Sequence, residues 1–163
     1  MRFLSLLALL VAPAAAAQDI VFDPAPVEAC RSQARTDGTV RPDCIGAAAN
    51  ACQSATPDGF TTVGTVDCIG AETDAWDRIL NDEYGALRGE LDSQDASYGG
   101  QDRSDALRDA QRAWIAYRDA ECGLQWAFYQ GGTIRSIVAA SCHLDFTASR
   151  ALELADMRDR DGR

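Results

Sequence analysis

The chain has 163 residues and a mass of 17.5 kDa, enough for one domain with a real core and too little for multidomain enzyme architectures. Hydrophobic residues make up 47% and charged residues 25%, a globular balance that excludes disorder along most of the length. Twenty-five acids face fifteen bases, all of them arginine, so the formal charge of -10 makes nucleic acid and anionic membrane surfaces poor partners and would draw in a cationic one.

Residues 1–17 read as a secretory signal: Arg2 is the charged start, Phe3 to Val11 the apolar run, and Ala14 to Ala17 the small residues before cleavage ahead of Gln18. The run is too short to span a bilayer. No cysteine stands at the cleavage point to take a lipid anchor, so the expected product is a free periplasmic or secreted protein. Residues 18–27 form a Pro-bearing lead-in, expected to be loosely held.

The six cysteines, at positions 30, 44, 52, 68, 122 and 142, are even in number in an exported chain and are expected to form three disulfides. A metal site is not expected, because His143 is the only histidine and no CxxC knuckle occurs. A repeat over residues 28–71 constrains the pairing. Ala29-Cys30-Arg31-Ser32, Asp37-Gly38 and Asp43-Cys44-Ile45-Gly46-Ala47 recur as Ala51-Cys52-Gln53-Ser54, Asp58-Gly59 and Asp67-Cys68-Ile69-Gly70-Ala71. Equivalent units close either locally, Cys30 to Cys44 and Cys52 to Cys68, or crosswise, Cys30 to Cys52 and Cys44 to Cys68. Both leave Cys122 with Cys142.

In chain order, short helices are predicted near 26–36 and 42–54, the second opened by Pro42. Thr56 to Val66 reads as a loop or poor strand, and no period-2 run argues for a sheet. Ile69, Thr73, Trp76, Leu80, Tyr84, Leu87 and Leu91 then recur at threes and fours, predicting a core-facing helix over 68–92. Ser93 to Asp102 reads as an exposed loop. The longest helix is predicted from Ser104, its N-cap, to Tyr129, with Leu107, Gln111, Trp114, Arg118, Cys122, Gln125 and Tyr129 on one arc. Ala113, Ala116, Ala120, Gly123 and Ala127 form a small-residue ridge opposite, which predicts helices packed on both sides. Gly131-Gly132 ends it, a short helix follows to about Ala140, and a last one runs from about Leu144 to Met157. The expected fold is an all-α, compact, disulfide-bonded bundle of four to six helices, with a core over 72–158 and a tail over 159–163.

Gln111 and Arg118 stand out on that apolar arc. A guanidinium there needs a carboxylate, and Asp77, Glu83, Asp119 and Asp145 are the candidate partners, with Arg150 joining the network. From Trp76 to Leu154 the sequence resembles the LprI family of bacterial exported proteins, named for a lysozyme inhibitor. The matching elements are Trp76-Asp77, Leu80-Asn81 and Tyr84; Leu107; Ala110-Gln111-Arg112-Ala113-Trp114-Ile115; and Tyr117-Arg118-Asp119-Ala120-Glu121-Cys122. Gly131-Gly132-Thr133, Cys142, Thr147, Arg150, Leu152 and Leu154 complete them, and Cys52 with Cys68 extends the match upstream. The resemblance implies an all-helical disulfide-bonded domain outside the cytoplasm and, for part of the family, inhibition of lysozyme. The segment around Cys30 and Cys44 is outside that common core.

Three function classes are weighed. An inhibitor of a lysozyme, a cationic enzyme whose cleft holds two carboxylates, gains from negative charge and a protruding loop. The predicted 92–102 loop, with Asp92, Asp95, Tyr98 and Asp102, is the expected contact, and Tyr129 to Thr133 a second protruding turn. An accessory domain binding another exported protein is the alternative. An enzyme is disfavoured, since no nucleophile elbow, metal dyad or phosphate loop accompanies His143, and no cofactor is expected.

Overall fold

A computed structural model of the protein describes residues 19–98 and 102–161; the expected signal segment, residues 1–17, lies outside the described residues. Five helices carry the described chain, with no strand among its residues: α1 (Ala25–Asp37), α2 (Ala47–Ala55), α3 (Thr62–Tyr98), α4 (Arg103–Phe128) and α5 (Ile134–Asp161). The all-α expectation holds. Several boundaries differ, each for a physical reason.

α1 starts where Asp23 Oδ1 accepts the Ala25 N–H at 2.9 Å, and stops at Gly38, whose φ of 64° suits a residue without a Cβ. Pro42 opens no helix. The chain turns through 41–46, and α2 begins only after Gly46, at φ 93°. Residues 56–61 form a turn so tight that a Cβ on Gly59 would lie 2.2 Å from the Gln53 carbonyl oxygen. α3 therefore begins at Thr62, six residues before its periodicity becomes legible.

α3, at 37 residues, is about 55 Å long and runs straight through Ser93 to Tyr98, so most of the predicted loop is helix. The separate segments predicted over 133–140 and 144–157 are the single helix α5. Glu72 lies near Asp145 and Glu83 pairs with Arg158, so α3 and α5 run parallel, and α4 runs back along the outside of the pair. The most extensive packing among the described helices is between α3 and α5. Trp76, Leu154, Ala148 and Ala151 are fully enclosed there.

α4 is neither the longest helix nor enclosed by its neighbours. Of its 26 residues only Ser104, Leu107, Gln111 and Cys122 are buried; Trp114, Arg118 and Gln125 are half-buried and Tyr129 is exposed. The ridge Ala113, Ala116, Ala120, Gly123 and Ala127 faces solvent, where neighbours on two sides were expected. Periodicity identified the right core arc but could not reveal whether another element covers the opposite side.

The local disulfide pairing is the one formed: Cys30–Cys44, Cys52–Cys68 and Cys122–Cys142, with no free cysteine. The lead-in is tethered, with the Val21 N–H donating to Thr56 Oγ1 at 2.9 Å and Ile20 and Phe22 packed against the core.

Candidate functional site

Two buried carboxylates fix the frame. Glu72, 1% exposed on α3, reaches the N-terminus of α2, where Oε1 accepts the Gly46 N–H at 2.8 Å and Oε2 the Ala49 N–H at 2.7 Å. It thereby fills the role of the side-chain cap that α2 lacks, and its charge suits the positive end of that helix. Oε1 also accepts the Trp76 indole N–H at 3.2 Å, so one carboxylate ties the largest core side chain to the cystine-rich segment. Glu83, equally buried, accepts from Arg31 of α1 at 2.6 Å, and Arg158 of α5 faces its other oxygen as an ion pair without hydrogen-bond alignment. Glu83 was a candidate partner for Arg118; the guanidiniums it holds are instead Arg31 and Arg158. Glu72 had no visible signal, since a carboxylate within a helical stripe reads as a solvated position.

The polar network on the α4 arc has Arg150 at its centre. Arg150 donates from Nε to Gln111 Oε1 at 2.9 Å and from Nη1 to Glu153 at 3.0 Å. Arg118 pairs with Asp119, its neighbour on α4, and lies over the Trp114 ring at 5.1 Å. Asp77 instead accepts from Asn81, one turn along α3, at 2.9 Å. The expected network exists, with Arg150 as its buried cation and Arg118 at its edge.

At the α3–α4 connection, Asp95 accepts Arg103 Nε at 2.8 Å and the Ser104 N–H at 3.2 Å, capping α4 from the preceding helix. Burial pushes its carboxyl up, but the donors from Arg103 and Ser104 outweigh that and hold it below the usual carboxylate range. Ser104 is accordingly not the N-cap; Asp102 takes that position, and the buried Ser104 hydroxyl accepts from Arg88. Asp92 sits exposed on α3, Asp102 is exposed at the start of α4, and the Tyr98 side chain lies outside the described residues. The predicted contact residues thus stand at a helical corner. The second expected turn, 129–133, does protrude, with its residues exposed.

Between α3 and α4 runs an open groove of about 360 Å³, floored by Leu80 and Gln111 and walled by Asp77, Asn81, Tyr84, Arg112, Trp114, Ile115 and Arg118, with Arg88 and Arg108 at its margin. All but those last two arginines belong to the motifs that carry the LprI resemblance. Packing accounts for Leu80 and Gln111, but not for the exposed Asn81, Arg112 and Ile115. Arg108 is held by Asp105 and Asp109, whereas Arg112 makes no ion pair among the described residues.

The model of the family described as lysozyme inhibitor LprI matches residues 52–154. This chain belongs to the LprI family. Its relatives include an uncharacterized protein of Rhizobium meliloti (strain 1021), 34% identical over 71% of this chain and 88% of that protein. An uncharacterized 17.7 kDa protein from the puhA 5' region of Rhodobacter capsulatus is 28% identical over 77% of this chain and 80% of its own. No solved structure matches. The family is named for an inhibitor, not for catalysis. In this chain, α1 and the Cys30–Cys44 loop precede the family match, while the groove falls wholly inside it.

Proposed function

We propose that the protein is exported to the periplasm or beyond and there binds and inhibits a lysozyme, with the α3–α4 groove as the contact surface. What carries the reading is that nine of the residues bearing the family resemblance, the exposed Asn81, Arg112 and Ile115 among them, line one open groove, while others such as Trp76, Thr147 and Leu154 build the core. Three disulfides suit an oxidising compartment, and no described helix is long and apolar enough to cross a membrane.

The charge distribution gives the reading a mechanism. The acidic surface as a whole draws in a cationic enzyme, and Asp92, Asp95 and Asp102, around the α3–α4 connection, contribute to that steering. At contact the local sign reverses: Arg112, which makes no ion pair among the described residues and feels Asp109 only at longer range, meets the paired carboxylates of a muramidase cleft and removes them from catalysis. Titration of the purified protein into a lysozyme turnover assay, with several lysozyme types, should give saturable inhibition that weakens with salt. Absence of inhibition and of binding in every case would remove the reading.

A second reading, an accessory domain for another exported protein, draws on a separate feature. Leu124, Trp126, Phe128 and Ile134 are all exposed around the α4–α5 turn, a concentration of apolar surface typical of protein contacts. Capture of one dominant partner other than a muramidase would favour it.

A further inference from the structure

The fold leaves a second concavity that the lysozyme reading does not use. A cleft of about 530 Å³ opens between the 41–45 segment, α4 and α5, within the range of about 300–1,000 Å³ common for small-molecule sites. One wall comes from the cystine-bound segment that precedes the family match, since Cys44, beside Arg41 and Asp43, is bonded to Cys30 of α1. The opposite wall is aromatic. Tyr117 is 57% exposed and packs edge-to-face on Phe146, with ring centroids 5.6 Å apart, so its ring is held in place yet open to a ligand.

The polar lining decides the class of ligand. Two guanidiniums, Arg41 and Arg150, face three carboxylates, Asp43, Asp145 and Glu153. An anion would meet the acids and a cation the arginines, so neither gains much from so mixed a surface. A neutral ligand rich in hydroxyls gains from both, because each hydroxyl donates to a carboxylate while accepting from a guanidinium or from Ser149. Arg150 is pre-positioned for this: Gln111 and Glu153 hold its Nε and Nη1, and Nη2 makes no hydrogen bond among the described residues. The Asp145 carboxyl is pushed up by burial, with Arg41 opposing and Glu72 adding to the shift, as expected where water is partly excluded.

We infer that this cleft binds a neutral saccharide of one or two rings, stacking an apolar sugar face on Tyr117 while Arg150, Ser149 and the flanking carboxylates take its hydroxyls. The inference stands independently of lysozyme inhibition, and it gives the segment around Cys30 and Cys44 a role as one wall of a sugar site.

The test is a titration of the full-length mature protein with N,N'-diacetylchitobiose and with cellobiose, followed by the indole N–H resonances of its tryptophans. Trp114 lines the cleft, whereas Trp76 is enclosed in the core and Trp126 sits towards the α4–α5 turn, so each serves as an internal reference. Expected is a saturable shift of the Trp114 signal with at least one of the two sugars, with affinity falling about tenfold in Tyr117→Ala and measurably in Arg41→Ala. Both side chains are exposed, so both variants should fold. Phe128→Ala, an exposed aromatic elsewhere on α4, should bind as the wild type does. No saturable shift with either sugar up to about 10 mM, a concentration about tenfold above a weak dissociation constant of ~1 mM, would overturn the inference. So would equal weakening by Tyr117→Ala and Phe128→Ala, which would signal nonspecific stacking. Inhibition of lysozyme in the absence of sugar binding would leave the inhibitor reading standing and remove the saccharide site alone.

Discussion

α4 and the α3–α5 pair are built from similar residues and used differently. α3 and α5 enclose Trp76, Leu154, Ala148, Ala151, Glu72 and Glu83 with almost no exposure. α4, comparable in length to α5, buries four side chains and carries Ile115, Tyr117, Leu124, Trp126 and Phe128 on its exposed surface. It is fastened at its start by Asp95 and near its end by the Cys122–Cys142 bond. A helix pinned at both ends needs little burial of its own, which leaves most of its surface available for recognition. The difference teaches that burial is separated by helix in this fold, concentrated in α3 and α5 and slight in α4, with Gln111 and Arg150 as the joint between them.

The most severe test of that separation is in the parallel pair. Trp76→Ala should lower the unfolding free energy by about 3–5 kcal/mol, read from chemical denaturation, and Glu72→Gln should destabilise as well by mispairing the N–H groups of Gly46 and Ala49. Removing the Cys122–Cys142 bond by a paired serine substitution should cost about 3 kcal/mol in the same measurement, with hydrogen exchange rising first in the C-terminal half of α4. Matched alanines sharpen the contrast: Ala151→Gln should destabilise by about 1–3 kcal/mol through overpacking, while Ala120→Gln should stay within about 0.5 kcal/mol of wild type. Equal losses at the two positions would mean that the α4 ridge is covered.

Much of this contrast could be read from the residues, and the part that could not has a common cause. The 3.6-residue spacing of Trp76, Leu80, Tyr84 and Leu87 locates α3, and the duplicated Cys-containing unit narrows the cystines to two regular patterns, of which the local one forms. Helix ends were less legible because they depend on partners distant in sequence. Gly46 starts α2 with a cap supplied by Glu72, 26 residues on, and Asp95 caps α4 from the helix before it. The run Ser93 to Tyr98 lacks an apolar stripe because it extends beyond the core, not because it leaves the helix. The groove was hidden for a related reason: Asn81, Arg112 and Trp114 are recognisable as a motif, but only the packing of α4 on α3 shows that they line one surface.

Smaller effects probe the binding side. Arg112→Ala should leave stability within about 0.5 kcal/mol and weaken lysozyme inhibition about tenfold or more, a split that a structural role for Arg112 would not give. The least effect is expected at His143, whose imidazole is pushed below its ordinary value by burial, with Arg118 adding to the shift and Asp119 opposing it. With its folded pKa depressed, the unfolded chain takes up the proton first as pH falls below about 6.5, so this group erodes stability from there down through its folded pKa. His143→Gln should flatten that part of the stability profile, seen as a smaller change in denaturation midpoint between pH 7 and pH 5.

Hydrogen exchange on the complex with an inhibited lysozyme addresses the central claim most directly. Protection concentrated in 77–84 and 108–118, the two sides of the α3–α4 groove, is the result expected. Protection confined to the α4–α5 turn or to α1, with the groove exchanging as in the free protein, would contradict it.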